Sequence, residues 1–493
     1  MNVEDMGRRA NRPVRAIQFG EGNFLRAFVD WIIDNLNEKS TFNGNVMMIQ
    51  PLPHGMSEMI NRQDGYYTTV LRGVKNGKPV EELRRIESVV GCINPYEDYE
   101  SYISQAENPD LRFVFSNTTE AGIAYHEGDR LEDRPQTSFP GKVAAFLYRR
   151  YQHFNGADDK GLIFIPCELI DRNGDNLKRI VLKYASEWKL EDAFISWIES
   201  SCDFCNSLVD RIVPGYPAAE ADDICRRLGY KDKLLDSAEH FLLWVIECHG
   251  KTHEDELPTD KAGVNVIWTD DMSFYRTRKV RILNGAHTMT VLAAHQTGLD
   301  TVEECIKSEL VYPFMRKGLF EEIIPSMDGD ENALKEYAGD VLERFANPHI
   351  VHKLLSISLN SVSKFKTRDL PSLLGFIGKT GKLPVCLVFS LASLISFYNG
   401  KLTEDRTALI GRRGDEEYRI MDSPEVLEVF DELYSREYGS ISAKAATLSH
   451  EVLSRKDWWG EDLTAIEGLE DRIRSNLEDI FTLGMTEAMK KNI

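Results

Sequence analysis

The sequence predicts a two-domain protein in which an α/β half precedes a mainly α-helical half. The first half opens with an apolar segment, a glycine turn, a helical pattern and a second apolar segment, the order that builds a parallel sheet. From about residue 270 onward, helical periodicity replaces the strand patterns. A chain of 493 residues is also long enough for two domains. We therefore expect an α/β domain over residues 1–269 and an all-α domain over residues 270–493.

The first strand and its turn are typical of a dinucleotide-binding unit. Val14–Phe19 reads as a strand, Gly20-Glu21-Gly22 as a turn, and the following residues as a helix to about Asn37, before a second strand at Asn45–Ile49. In a Rossmann-type unit the first glycine makes the tight turn and the second lets the backbone approach a pyrophosphate. The third glycine of the full motif is absent, because Leu25 stands there.

The end of the second strand leaves the choice of coenzyme open. It continues into Gln50-Pro51, whereas an enzyme that selects NAD usually places an acid there to bind the ribose 2′-hydroxyl. No arginine that could receive a 2′-phosphate follows directly, and the nearest is Arg62. Gln50 either bonds the ribose or caps the strand.

Two later strands end in polar residues, as expected where a parallel sheet meets its ligand. Leu111–Phe115 precedes a polar stretch that reaches Gly122, and Leu162–Ile165 precedes Cys167-Glu168-Leu169. The polar stretch is either a cofactor-binding loop or a capped helix start. The candidate cofactor-binding residues are Phe19, Gly20, Gly22, Asn23, Phe24, Gln50, Asn117, Thr118, Thr119 and Glu120.

The second half is predicted to be helical over several segments, with a ligand site where the two domains meet. The predicted helices are Asn284–His295, Val302–Met315, Leu334–Phe345, Ile350–Val362, Pro384–Tyr398 and Ser423–Tyr434.

Lys279, Asn284 and His287 are the candidate catalytic residues. Asn284 and His287 would share one helical face at i and i+3, and Lys279 would come from a strand or turn just ahead. A lysine, an amide and an imidazole suit a carbonyl reaction, because the lysine moves a proton while the other two hold the oxygen. A solvated lysine, an N-cap asparagine and a structural histidine would give the same spacing.

The Lys-x-x-x-x-Asn-x-x-His pattern resembles the polyol-specific long-chain dehydrogenase/reductase family, which includes the mannitol dehydrogenases. Asn23–Phe28 and Thr118–Gly122 resemble the same family. The resemblance implies a Rossmann domain, a helical domain of the 6-phosphogluconate-dehydrogenase type, NAD as the cofactor and no metal. It also implies that Lys279 is the acid/base.

The resemblance favours the uronate-reducing branch of the family. Mannitol dehydrogenases carry Cys-Asp-Asn where this chain has Cys167-Glu168-Leu169, so Leu169 cannot donate the hydrogen bond of that asparagine. The implied reaction is reversible hydride transfer from NADH to the keto group of tagaturonate, giving altronate in galacturonate catabolism. Fructuronate reduction, mannitol oxidation and a non-catalytic sugar-acid sensor remain alternatives; an acid/base Lys279 counts against the sensor.

A basic cluster at Lys364, Lys366 and Arg368 is the candidate site for a substrate carboxylate. Arginine matches a carboxylate with two hydrogen bonds, so Arg368 and Lys364 are the candidate substrate-binding residues, together with Glu168 for a polar role. Cations at the negative end of a solvated helix would explain the same residues.

Composition limits the partners. A net charge of -20 argues against nucleic acids and anionic membranes and favours a small-molecule substrate, a hexuronate or aldonate. The sequence shows no secretory signal and no apolar run near the roughly 20 residues of a membrane span. Eight scattered cysteines with one lone Cys-x-x-Cys predict reduced thiols in the cytoplasm rather than a zinc site. Monomer and homodimer both stay open.

Overall fold

The computed structural model describes residues 1–493 except Arg8, Asn76, Glu120 and the side chain of Lys75. The chain divides into two compact units. The first contains residues 1–73 and 78–273, and the second contains residues 74–77 and 274–493.

The first unit is built on a parallel sheet. The strands of the first unit are β1 (Val14–Phe19), β2 (Asn45–Ile49), β3 (Tyr67–Lys75), β4 (Lys78–Ile86), β5 (Val89–Ile93), β6 (Phe113–Ser116), β7 (Ile163–Pro166), β8 (Asp203–Phe204), β9 (Asn206–Asp210), β10 (Asp236–Glu239), β11 (Leu243–Glu247) and β12 (Val266–Thr269). Six of them form one sheet in the order β5-β2-β1-β6-β7-β8, with every pair parallel. This is the doubly wound arrangement of a dinucleotide-binding fold, so the predicted fold class is confirmed.

Helices accompany this sheet, as parallel strands require. They are α1 (Asn23–Ala27), α2 (Val29–Lys39), α3 (Ser57–Arg62), α4 (Tyr99–Ile103), α5 (Phe139–His153), α6 (Asn173–Glu187), α7 (Asp192–Ser201) and α8 (Ala221–Leu228). Alternate residues of β1 enter different apolar clusters: Ala16 packs in one, Ile17 and Phe19 in the other. Other elements pack against both faces of the parallel sheet, and its strands therefore carry apolar residues on both faces.

The helix after the glycine turn differs from the prediction. It breaks at Phe28, whose φ and ψ are -119° and -81°, so α1 and α2 replace one helix. Arg26, in α1, is only 1% exposed. Its guanidinium donates to the Leu234 carbonyl at 2.7 Å and to the Asn23 side chain, so Arg26 fixes the turn from inside.

Two three-stranded sheets complete the first unit, in the orders β10-β3-β4 and β12-β11-β9. The sequence patterns did not predict them. The strands of the first of these sheets carry charged residues at many positions, which reads as loop when taken locally.

The second unit is mainly helical. Its helices are α9 (Ser273–Arg278), α10 (Gly285–Gln296), α11 (Val302–Lys307), α12 (Val311–Lys317), α13 (Ile324–Ser326), α14 (Glu331–Phe345), α15 (Leu354–Ile357), α16 (Ser361–Arg368), α17 (Leu370–Thr380), α18 (Val385–Phe397), α19 (Pro424–Ser435), α20 (Ile441–Leu453), α21 (Lys456–Trp459), α22 (Leu469–Leu483) and α23 (Met485–Lys490). Lys279–Asn284 and Gly318–Ile323 are π-helical. None of the described helices is long and apolar enough to cross a membrane.

Three expectations for the second unit were wrong. It is not all-α, because β13 (Gly400–Leu402), β14 (Leu409–Arg413) and β15 (Glu416–Ile420) form an antiparallel sheet. The helix predicted over 302–315 is two helices, since the Ser308 hydroxyl accepts hydrogen bonds from backbone amides at the start of the second. The helix predicted over 350–362 is also two, and His352 lies in the loop before α15.

A buried carboxyl group in α2 makes the first unit sensitive to pH. Asp30 is fully buried, and its Oδ2 accepts hydrogen bonds from the Tyr67 hydroxyl at 2.9 Å and from Gln18 Nε2 at 3.4 Å. Burial raises the pKa of Asp30 to about 8, although these two hydrogen bonds oppose the rise. The folded chain therefore keeps this proton at pH values where the unfolded chain has lost it.

We predict that Asp30→Asn flattens the pH dependence of stability. Because the folded pKa lies above the unfolded value of 3.8, the contribution of Asp30 to the free energy of unfolding falls as pH rises from about 4 to about 8. Between pH 5 and pH 8 this loss is at most about 4 kcal/mol. Thermal unfolding at several pH values measures it, with Asp110→Asn, at an exposed carboxylate, as the control. An Asp30→Asn protein that loses stability as steeply as the wild type would contradict the assignment.

Candidate active site

The described candidate cofactor residues lie at one edge of the parallel sheet. They follow the carboxyl ends of β1, β2 and β6. Gly20 has φ of +115°, and a Cβ built on it would lie 2.9 Å from the Asn117 carbonyl oxygen. Only glycine fits there, so the turns after β1 and β6 can touch. The predicted residue Glu120 lies outside the described part of the chain.

Gly22 provides the space that a dinucleotide needs. It is exposed, and a Cβ built on it would meet no atom within 4 Å. Phe19, by contrast, is 1% exposed and packs its ring against Phe139 with a centroid distance of 4.9 Å, so only its backbone faces the turn. Asn23 accepts a hydrogen bond from Arg26, and Phe24 stacks on Phe28. The open backbone at Gly22 fits a bound pyrophosphate.

Glu168 holds the loop after β6 in place. It is 2% exposed, and its two oxygens accept hydrogen bonds from the Ser116 hydroxyl at 3.0 Å and from the Thr118 amide and hydroxyl at 3.0 and 2.9 Å. Burial raises the pKa of the Glu168 carboxyl, and these hydrogen bonds oppose the rise. The substrate role predicted for Glu168 is therefore replaced by a structural one. Leu169, beside it, is 62% exposed.

The amide nitrogen and oxygen of the Gln50 side chain also have hydrogen-bond partners within the protein. This side chain is 1% exposed, its Nε2 donates to the Leu52 carbonyl at 2.8 Å, and its Oε1 accepts from the Ser57 amide at 3.1 Å. Gln50 therefore pins the loop between β2 and α3. Of the two roles left open by the sequence, the structure supports the cap.

Lys279 lies in a helix and not in the strand or turn that the sequence predicted. Lys279 opens the π-helical turn Lys279–Asn284, which continues α9 into α10 without a break. In an α-helix, residues five apart point about 140° away from each other. A π-helix closes its hydrogen bonds between i and i+5, so it brings such residues toward the same face. The wide turn thus aligns Lys279 with Asn284, and both are half-buried.

His287 follows one turn later in α10 and is buried between aromatic rings. It stacks on Phe345, with centroids 4.2 Å apart, and meets His352 edge-on at 5.1 Å. Its Nε2 has no hydrogen-bond partner among the described residues. Burial, followed by the charges of neighbouring groups, lowers the pKa of His287 well below its usual value. The ring is therefore neutral near pH 7 and able to form a new hydrogen bond.

Several basic side chains act on the electrostatics of His287. The groups besides burial that lower its pKa are His352, Arg368, Arg344 and Lys364. Arg368 Nη1 donates to the Thr288 hydroxyl at 3.3 Å, and Lys364 Nζ donates to the Ile357 carbonyl at 2.7 Å. We call Arg344, Lys364 and Arg368 the cationic cluster.

The structure brings two of the predicted cations to the predicted histidine. Arg368 and Lys364 are half-buried beside His287, not turned to bulk solvent as a solvated helix end would be. Sequence reasoning missed Arg344 and His352. Their only signal was that Arg344 lies near the end of one predicted helix and His352 near the start of the next. In the structure Arg344 is in the last turn of α14, and His352 is in the loop between α14 and α15.

The cysteines form no metal centre among the described residues, where no three metal-binding side chains meet. The Cys-x-x-Cys pair is not a unit, since Cys205 instead faces Cys248 with the two sulfurs 3.4 Å apart. Both are buried free thiols.

Family models match both halves of the chain. The mannitol dehydrogenase Rossmann domain matches residues 14–259, and the mannitol dehydrogenase C-terminal domain matches residues 271–481. The chain belongs to the mannitol dehydrogenase family. The resemblance found in the sequence is therefore confirmed.

Curated relatives and solved structures agree with this family. Proteins named altronate oxidoreductase from Escherichia coli O7:K1 and Shigella flexneri are each 46% identical to this chain over 482 residues, covering 98% of it and 97% of the relative. A D-sorbitol dehydrogenase structure matches with a TM-score of 0.78 at 20% identity, covering 97% of this chain and 95% of that one. Pseudomonas fluorescens mannitol 2-dehydrogenase, solved with NAD and D-mannitol, matches with a TM-score of 0.67 at 20% identity, covering 98% and 94%. These two structures share the fold.

We predict that Glu168→Ala weakens NADH binding and stability while Glu168→Gln does neither strongly. Alanine leaves the Thr118 amide and the Ser116 hydroxyl without their acceptor, at a cost of about 1–3 kcal/mol for each buried group. Glutamine keeps an acceptor oxygen in place. NADH fluorescence titration and thermal unfolding of both variants measure the two effects. Equal NADH affinity in Glu168→Ala and wild type would show that the loop geometry does not matter for the coenzyme.

Proposed function

We propose that this protein is an NAD-dependent oxidoreductase that interconverts tagaturonate and altronate. Two curated relatives named altronate oxidoreductase support it, because they are 46% identical over nearly the whole chain. The glycine turn at the carboxyl edge of the parallel sheet supports a dinucleotide cofactor. The family-model matches support the proposed domains, 1–269 for the cofactor and 270–493 for catalysis.

The cationic cluster is the observation that carries the choice of a sugar acid. The chain has a net charge of -20, so its overall field repels an anionic substrate. Arg344, Lys364 and Arg368 nevertheless act together on His287. Burial lowers the pKa of both Lys364 and Arg368, which means that each is held partly out of water at an energetic cost. A substrate carboxylate would offset that cost, and a neutral polyol would not.

The proposed chemistry divides between coenzyme and side chains. When bound, NADH supplies the hydride that reduces the keto carbon. Lys279 gives a proton to the keto oxygen in reduction and takes it back in oxidation, as a general acid/base. Asn284 donates a hydrogen bond to the oxygen as negative charge develops on it. Neutral His287 bonds the same oxygen or the neighbouring hydroxyl through its Nε2.

A panel of substrates tests the proposal directly. Oxidation of NADH is followed with tagaturonate, fructuronate and fructose, and reduction of NAD with altronate and mannitol. The highest kcat/KM is expected for tagaturonate, and chelation of metals by EDTA is expected to leave it unchanged. Faster turnover of fructuronate would reassign the sugar acid, and equal turnover of fructose would remove the need for a carboxylate.

Eight free thiols support a cytoplasmic reaction.

Lys279→Ala is predicted to lower kcat by roughly 10²–10⁴-fold, the usual contribution of a positioned acid/base. NADH binding should stay as in the wild type, since Lys279 belongs to the helical unit and not to the glycine turn. Steady-state kinetics and NADH titration measure the two. Lys382→Ala, at an exposed lysine of the same unit, is the control. A Lys279→Ala enzyme with wild-type kcat would rule out the role.

Arg368→Ala is predicted to raise KM for tagaturonate by about 10- to 150-fold, because a hydrogen bond to a charged group contributes about 1.5–3 kcal/mol. The low activity with uncharged fructose should change much less. Lys366→Ala is a matched control, since it removes a cation from the same helix that is not among the groups acting on His287. If both variants raise KM equally, general charge and not a specific contact explains the effect.

A further inference from the structure

The chain lacks an available ribose-binding side chain where this fold usually carries one. The acid that selects NAD normally stands at the end of β2, where its carboxylate bonds the ribose 2′-hydroxyl. Here that position is Gln50, whose amide nitrogen and oxygen are both used by the loop that follows. Coenzyme selection must therefore come from another residue.

An acid reaches the same place from the first turn. Glu21 stands between Gly20 and Gly22, is 8% exposed, and its Oε1 accepts a hydrogen bond from the Met56 amide at 3.2 Å. A Cβ built on Gly55 would lie 2.1 Å from Glu21 Oε1 and 2.6 Å from Gln50 Cδ. The carboxylate of Glu21 and the amide of Gln50 thus both lie next to Gly55, on the side where a larger residue would carry its Cβ.

Among the described residues, no cation forms an ion pair with the Glu21 carboxylate. Of the cations in the described part of the chain, only Arg26 acts on the Glu21 carboxyl, and Arg26 is 1% exposed and bonded to Leu234 and Asn23. In the loop and helix after β2, His54 and Arg62 are exposed, and Arg62 pairs with Glu58. A 2′-phosphate would therefore meet a carboxylate that no ion pair neutralises.

We propose that Glu21 selects NADH over NADPH. This role rests on the proposed NAD-dependent function. It places the discrimination between NADH and NADPH at the first glycine turn, whereas the fold usually places it at the end of β2. The carboxylate of Glu21 accepts a hydrogen bond from the ribose 2′-hydroxyl, and it repels the dianionic 2′-phosphate. Specificity then comes from attraction of one coenzyme and repulsion of the other.

The test compares kcat/KM for NADH and for NADPH. Glu21→Gln keeps the size of the side chain and its oxygen toward Met56 but removes the charge. The NADH/NADPH preference is expected to fall by about 10- to 150-fold, the scale of a hydrogen bond to a charged group. Glu21→Asp keeps the charge and should keep most of the preference. Glu199→Gln removes an exposed acid from α7 with the same change in net charge, and its preference should equal that of the wild type.

Binding measurements separate this proposal from the proposed function. Dissociation constants for NADH and NADPH, from fluorescence titration, report coenzyme selection even if no substrate in the panel is turned over. A wild type that binds NADH tightly but reduces no sugar acid would remove the proposed function and leave the role of Glu21 intact. An unchanged preference in Glu21→Gln, or an equal change in Glu199→Gln, would overturn the role of Glu21.

Discussion

One wide helical turn determines where the proposed chemistry takes place. Lys279 and Asn284 are five residues apart, a separation that a regular α-helix turns to different sides. The π-helical turn between them brings the two side chains toward one face, and α10 then places His287 one turn further on. A π-helical turn has weaker hydrogen bonding than an α-helical one, so its packing against α14 and α16 must stabilise it.

The helices that pack against this turn also carry the positive charges that act on His287. Helices α14 and α16 carry Arg344, Lys364 and Arg368, and so the elements that hold the wide turn also bring cations to His287. Their combined charge, added to burial, keeps the imidazole neutral. A histidine among cations therefore serves as a hydrogen-bonding group and leaves proton transfer to Lys279. The division of labour follows from electrostatics and not from residue type alone.

The sequence predicted local features well and the partners of polar groups poorly. The strand Val14–Phe19 and the turn after it were predictable because the apolar pattern and the glycines are contiguous. The roles of Gln50 and Glu168 were not, because their partners come from the loop after β2 and from a neighbouring strand end. The π-helical turn could not be read from spacing, since its stability depends on packing. Arg344 and His352 became visible only when the fold placed them beside α10.

The loop after β2 has a consequence for protein engineering. In NADP-dependent enzymes of this fold an arginine near the end of the second strand accommodates the 2′-phosphate, so an arginine substituted there would be the direct route to NADPH use. In this chain that substitution would remove the amide of Gln50, which fastens Leu52 and Ser57, and would push a larger side chain against Gly55. The loop would have to be rebuilt together with the substitution. A substitution at position 50 alone would therefore disturb the fold of this loop before it could change the coenzyme preference.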